Sequence, residues 1–176
     1  MPDALKKSIV DAIEEGQLKL DYREETIRLY YPLESLCALV GKPLDAAQMA
    51  RELEVFSKAN EAQLGKIEIS RKGTRFCLTV GPKGAAWVHE HTDRNGFLAE
   101  FIAAIGRHGC TMDELLAVFR RYSDRVHVEA LHNGEFDWLI DFEDGQPDAY
   151  RYCIADEGCH LTYHRFTKED YEAFGF

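Results

Sequence analysis

Leu5, Ile9, Ala12 and Ile13 recur at the helical period among charged residues, which predicts an opening amphipathic helix ending at Gly16. In "TIRLYYP", Ile27, Leu29 and Tyr31 alternate with Arg28 and Tyr30, the period of a short strand, and Pro32 ends it. A short helix over "LESLCALV" closes at Gly41. Asp45 is placed to cap a longer helix carrying Met49, Leu53 and Phe56, with its end near Gly65. "KIEISRKGTRFCLTV" holds two β-rich runs around Lys72 and Gly73, the pattern of a tight hairpin.

The second half reads in a similar order. "AAWVHEHT" is read as a strand, and Asn95 as the cap of a helix lined by Phe97, Leu98, Phe101, Ile102 and Ile105 that ends by Gly109. Thr111 and Glu114 form a capping-box pattern ahead of Leu115, Leu116, Val118, Phe119 and Tyr122. "RVHVEALHNGEFDWLIDF" then places two alternating runs about Asn133 and Gly134, a second hairpin in which Phe136, Trp138, Ile140 and Phe142 share the inward face and Asp137, Asp141 and Glu143 point outward. The expected fold is therefore α+β, helices on mainly antiparallel sheet. Strand, helix, helix, hairpin twice over predicts a tandem, winged-helix-like repeat dividing near residue 85, into 1–84 and 85–176, the alternative being one compact domain with a sheet continuous across both halves.

A chain of 176 residues with 45% hydrophobic content can bury a substantial core. No apolar run approaches the roughly 20 residues of a membrane span. The N-terminus "MPDALKKSIVDAIEEG" mixes charge with apolar residues instead of carrying a signal-peptide block, so a cytoplasmic protein without a membrane partner is expected. Five scattered cysteines, with no CxxC pair, fit reduced thiols better than a disulfide framework or a zinc knuckle.

The net charge of −10 is unevenly spread. Residues 134–176 hold eleven acids against three bases, whereas residues 42–84 hold eight bases against five acids. The acids Asp141, Glu143, Asp144, Asp148, Asp156 and Glu157 predict an electronegative surface suited to a basic protein partner. At the first hairpin, Arg71, Lys72 and Arg75 stand where a wing would meet phosphates. Glu52, Glu54 and Glu61 on the preceding helix, and the acids of the second hairpin, weigh against nucleic acid.

Two segments invite a metal or catalytic reading. Extended, "EGCHLTYHRFTKEDY" sends Cys159 and His160 to opposite faces, and its His160 and His164 stand about 13 Å apart, too far for one ion. In "HEHTD", His89 and His91 on a strand would lie about 6.6 Å apart with Asp93 two positions on, the best-spaced pair in the chain. A two-residue motif is too common to predict a metal, and no cofactor is expected. Nucleophile elbow, Walker loop, HExxH and dinucleotide fingerprint are all absent from the sequence, and "GPKG" reads as a plain turn.

"TIRLYYPLESL" and "DEGCHLTYHRFTKEDY" resemble an uncharacterised bacterial family, a domain of unknown function, over the whole chain. The resemblance implies a small bacterial cytoplasmic protein and assigns no site residue. The reading these observations favour is a non-enzymatic protein-binding module with an acidic surface. The alternatives are a winged-helix-like nucleic-acid-binding protein and a metal- or cysteine-dependent enzyme.

Overall fold

The computed structural model describes residues 2–92, 96–131 and 133–174. The chain separates into two compact units, Met1–Asp93 and Arg94–Phe176; residue 85 lies within a helix of the first. The class is α+β, and both sheets are antiparallel throughout. No helix among the described residues is long and apolar enough to cross a membrane.

Unit 1 runs α1 (Pro2–Leu20), β1 (Ile27–Pro32), α2 (Leu33–Val40), α3 (Ala46–Leu64), β2 (Glu68–Lys72), β3 (Arg75–Val80) and α4 (Pro82–His91). Leu5, Ile9 and Ile13 of α1 are buried together, one turn apart in succession, and the helix continues past Gly16 to Leu20. Gly16 needs no left-handed conformation and lies in open space, so it breaks nothing. Asp45 caps α3 by accepting from the N–H groups of Ala47 and Gln48, both at 2.8 Å, and Gln48 completes the capping box. Gly41, at φ 75°, terminates α2.

The sheet order is β1-β3-β2. Alternation on β3 sends Phe76, Leu78 and Val80 into a core shared with Leu36, Met49, Leu53 and Val88, and sends Arg75, Cys77 and Thr79 outward.

The "AAWVHEHT" segment is helical, against the strand expectation. Pro82 takes the first helical position of α4 after Gly81, where its missing N–H costs nothing, and Ala85 and Val88 fall on the buried side. Gly84 allows the close approach: a Cβ there would stand 2.4 Å from the Leu64 carbonyl oxygen and 2.4 Å from Val80 Cγ1.

Unit 2 runs α5 (Gly96–Ile105), α6 (Met112–Tyr122), β4 (Val126–Ala130), β5 (Trp138–Phe142), β6 (Arg151–Asp156), β7 (Leu161–Phe166) and α7 (Lys168–Phe174). Asn95, expected to cap α5, lies outside the described residues. The sheet is a meander, β4-β5-β6-β7. Helix, helix, strand, strand recurs from unit 1, but no strand precedes the helix pair among the described residues, and the sheet has four strands instead of three. The full strand, helix, helix, hairpin order is therefore not repeated among the described residues. Strand β6 was not anticipated, and β4 and β5 join through seven residues instead of a two-residue turn, since Ala130 pairs with Trp138.

One face of this sheet is aromatic. Phe97 meets Phe119 and Phe142 edge to face, each at 4.8 Å, and Phe101 meets Tyr152 at 4.7 Å and Tyr163 at 4.8 Å. Ile140 and Phe142 point inward as expected, Trp138 is half-buried, and Asp137 and Glu143 are exposed. Phe136 departs from that row. It precedes β5 and packs instead against His164 and Phe166 on the opposite face, where Leu139, Cys153 and Tyr171 make a second, smaller core.

Asp148 is interior, not part of an acidic surface. Its Oδ2 accepts from the Arg165 guanidinium at 2.9 Å and from the Tyr152 hydroxyl at 3.1 Å, and its Oδ1 from the Tyr150 N–H at 2.9 Å. The guanidinium lies 3.9 Å from the centre of the Tyr150 ring. A buried carboxylate persists only when so compensated.

Two outcomes are expected in urea unfolding of the full chain. Gly84→Ala should cost about 1–3 kcal/mol, because its Cβ meets backbone. Asp148→Ala should cost about 3–5 kcal/mol by stranding the Arg165 charge, and adding Arg165→Met should recover part of that loss.

Candidate functional site

The outward face of the unit 1 sheet gathers the cations that the sequence distributes over two separate segments. Antiparallel register lays three rows across the strands: Arg28, Thr79 and Glu68; Tyr30, Cys77 and Ser70; Pro32, Arg75 and Lys72. Neighbours in a row are about 4.8 Å apart at the backbone, and rows follow one another every ~6.8 Å. A shallow groove of about 400 Å³ runs over this surface, lined by Arg28, Tyr30, Ser70, Arg71, Lys72, Arg75, Cys77 and Thr79.

Three cations, Arg28, Lys72 and Arg75, thus share this face with one carboxylate, that of Glu68, and Arg71, which alternates to the other side of β2 opposite Phe76, adds a fourth to the groove lining near the hairpin end. Among the described residues none of Arg28, Arg71, Lys72 and Arg75 forms an ion pair, so their charge is uncompensated. Tyr30, in the middle row, is 66% exposed, unusual for so large a side chain. Hydroxyls of Ser70 and Thr79 add hydrogen-bonding capacity beside it. The site combines positive charge, an open aromatic face and neutral donors.

Arg71, Lys72 and Arg75 were expected together at the hairpin. Arg28 and Tyr30 were missed as site residues, although the alternation in "TIRLYYP" already set them apart from Ile27, Leu29 and Tyr31. What that alternation could not supply was the neighbour, since β1 lies against β3, which follows it by more than forty residues.

The other candidates are dispersed. His89 and His91 lie on α4, not on a strand, so two positions turn them about 200° apart on the helix; the ring of His91 stacks on Trp87 at 4.9 Å and its Nδ1 is 2.9 Å from the Trp87 carbonyl. Asp93 lies outside the described residues. Among the described residues no group of three His, Cys, Asp or Glu is arranged to hold a metal ion.

The acidic set divides as well. Asp141 is half-buried and engaged, 3.3 Å from Arg151 Nε and 3.3 Å from His127 Nδ1. Exposed Glu143 and Asp144 follow β5, whereas exposed Asp156, the last residue of β6, and Glu157 after it stand at the opposite end of the sheet, because β5 and β6 run antiparallel. Four strand residues, about 13 Å, separate the two ends.

At that second end the β6–β7 connection corrects another expectation. The strand begins at Leu161, so Cys159 and His160 belong to a turn and come together, Sγ 3.3 Å from Nδ1. His160 Nε2 is 2.9 Å from Glu157 Oε2. His164 faces away from this group, against Phe166.

No curated protein and no solved structure matches the chain. Residues 2–175 match the family described as "Domain of unknown function, E. rectale Gene description (DUF3877)", and the chain belongs to that family.

Proposed function

We propose that the outward sheet face of unit 1 binds single-stranded nucleic acid. The observation that carries this reading is the exposed ring of Tyr30 set among four unpaired cations over a shallow groove. Phosphates are held by Arg28, Arg71, Lys72 and Arg75, and an unstacked base lies on Tyr30, the combination that single-strand binding surfaces use.

Duplex is a poorer fit. Its bases are stacked away from an aromatic side chain, and the helix that would enter a groove, α3, exposes Glu54 and Glu61 beside Arg51 and Lys58. The order of β1, α2, α3 and the β2–β3 hairpin in unit 1 resembles the helix pair and wing of winged-helix modules, and that likeness also favours nucleic acid as the ligand class. A basic protein partner for the acids of unit 2 has less support, because Asp148 is interior, Asp141 is matched by Arg151 and the other four stand at two ends of a sheet.

Fluorescence anisotropy with a labelled single-stranded DNA oligonucleotide tests the reading. Wild type should bind at about 50 mM salt and weaken as salt rises. Arg28→Gln, Lys72→Gln and Arg75→Gln together should lower the log–log salt slope by roughly 2, at about 0.7 for each lost phosphate contact. Tyr30→Ala should cost about 1–3 kcal/mol of affinity and leave the slope alone. Wild type that fails to bind, or a triple variant that binds as wild type does, overturns the proposal.

A further inference from the structure

The connection between β6 and β7 is short: Asp156 pairs with Leu161, leaving four residues between them. Across it the Glu157 N–H donates to the His160 carbonyl at 3.1 Å, and Gly158, at φ 84°, takes the left-handed conformation that reverses the chain. That backbone bond holds Glu157 and His160 side by side, with Cys159 next to them.

The hydrogen bonds have a direction. A carboxylate only accepts, so the 2.9 Å contact to Glu157 requires the hydrogen of a neutral His160 ring to reside on Nε2. Nδ1 then presents its lone pair to the Cys159 thiol 3.3 Å away. Thr162 Oγ1 holds the other Glu157 oxygen at 3.4 Å. Nucleophile, base and orienting carboxylate stand in line.

The remaining cysteines lack this arrangement. Burial pushes the Cys153 thiol up to about 11 and raises that of Cys110 as well, which shrinks their thiolate fractions. The sulfur of Cys37 accepts the Leu44 N–H at 3.4 Å, and half-buried Cys77 stands 3.9 Å from Thr79 Oγ1. Cys159 alone of the five is exposed.

Beside the turn lies a recess of about 420 Å³ lined by Asp137, Trp138, Asp156 and Gly158. Two carboxylates and an indole face favour a cationic group. We infer that Cys159 is a nucleophilic thiol with His160 as its base and Glu157 as a positioning residue, and that it exchanges with small disulfides bearing cationic groups, which the neighbouring recess holds.

In the step, His160 Nδ1 takes the thiol proton and the Cys159 thiolate attacks one sulfur of the ligand disulfide. The ligand S–S bond breaks as the Cys159–S–S–R bond forms. The departing thiolate takes the proton back from the imidazolium and leaves as a thiol. Cys159 is oxidised to the disulfide level and the released sulfur is reduced, so no further oxidant is required.

The reduced full-length chain is treated at pH 7 with cystamine, a dicationic disulfide, or with dianionic dithiodiglycolate, and adducts are placed by peptide mass spectrometry. Cys159 should react first, about tenfold ahead of any other cysteine, and faster with cystamine than with the dianion. Asp137→Asn with Asp156→Asn, which keeps the acceptor oxygens, should narrow that preference. Iodoacetamide, which carries no charge, reads the base: His160→Gln should slow Cys159 alkylation at pH 7 by at least about tenfold and converge with wild type near pH 10, where an ordinary thiol is already ionised. Glu157→Gln should give a smaller loss with the same convergence. Another cysteine leading, or a His160→Gln rate at pH 7 equal to wild type, overturns the thiol site; a dianion as fast as cystamine overturns the ligand class.

Discussion

The alternation of β3 is the constraint on which unit 1 depends. Because Phe76, Leu78 and Val80 must be buried against α2, α3 and α4, the residues between them are forced to the other side, and register carries the same choice to β1 and β2. A one-residue slip would bury Arg75 and expose Phe76. The basic face is therefore not a loop feature that can drift; it is the reverse side of the hydrophobic core, and its charges are spaced by the strand geometry.

Unit 2 solves a different problem. Its central strands are covered on both faces, by the aromatic cluster from α5 and α6 on one side and by Phe136, Phe166 and Tyr171 on the other. Double coverage brings polar groups inside, and the Asp148–Arg165 pair with its two tyrosines is the result. What remains at the surface is pushed to the strand ends, where the hairpin turn holds Glu157, Cys159 and His160 within reach of one another. Both candidate chemistries of this protein, charge on a sheet face and a thiol at a turn, arise where the packing of a core dictates what cannot go inward.

Much of this was legible from local pattern. Helices α2, α3 and α6, the β2–β3 hairpin and the capping residues Asp45 and Thr111 follow from periodicity and capping, interactions completed within a few residues. The failures were local too. "GPKGAAWVHEH" carries Pro at a first helical position, a helix signal that outweighs the apparent β pattern of "AAWVH". "ADEGCHL" carries Gly in the left-handed conformation between the paired Asp156 and Leu161, so treating Cys159 as strand hid its contact with His160.

Other features lay beyond any local reading. The sequence by itself determined the α+β class, the hairpin that presents Arg71, Lys72 and Arg75, and which side of β1 carries Arg28 and Tyr30, because alternation and turn chemistry are properties of neighbouring residues. Only the tertiary structure decided that β1 pairs with β3 and so completes the basic face, that Asp148 is interior because Arg165 and Tyr152 reach it, and that the surface acids divide between two ends of a sheet. Those outcomes depend on strand order and on which partner compensates a buried charge, and both are settled by packing between residues far apart in the chain.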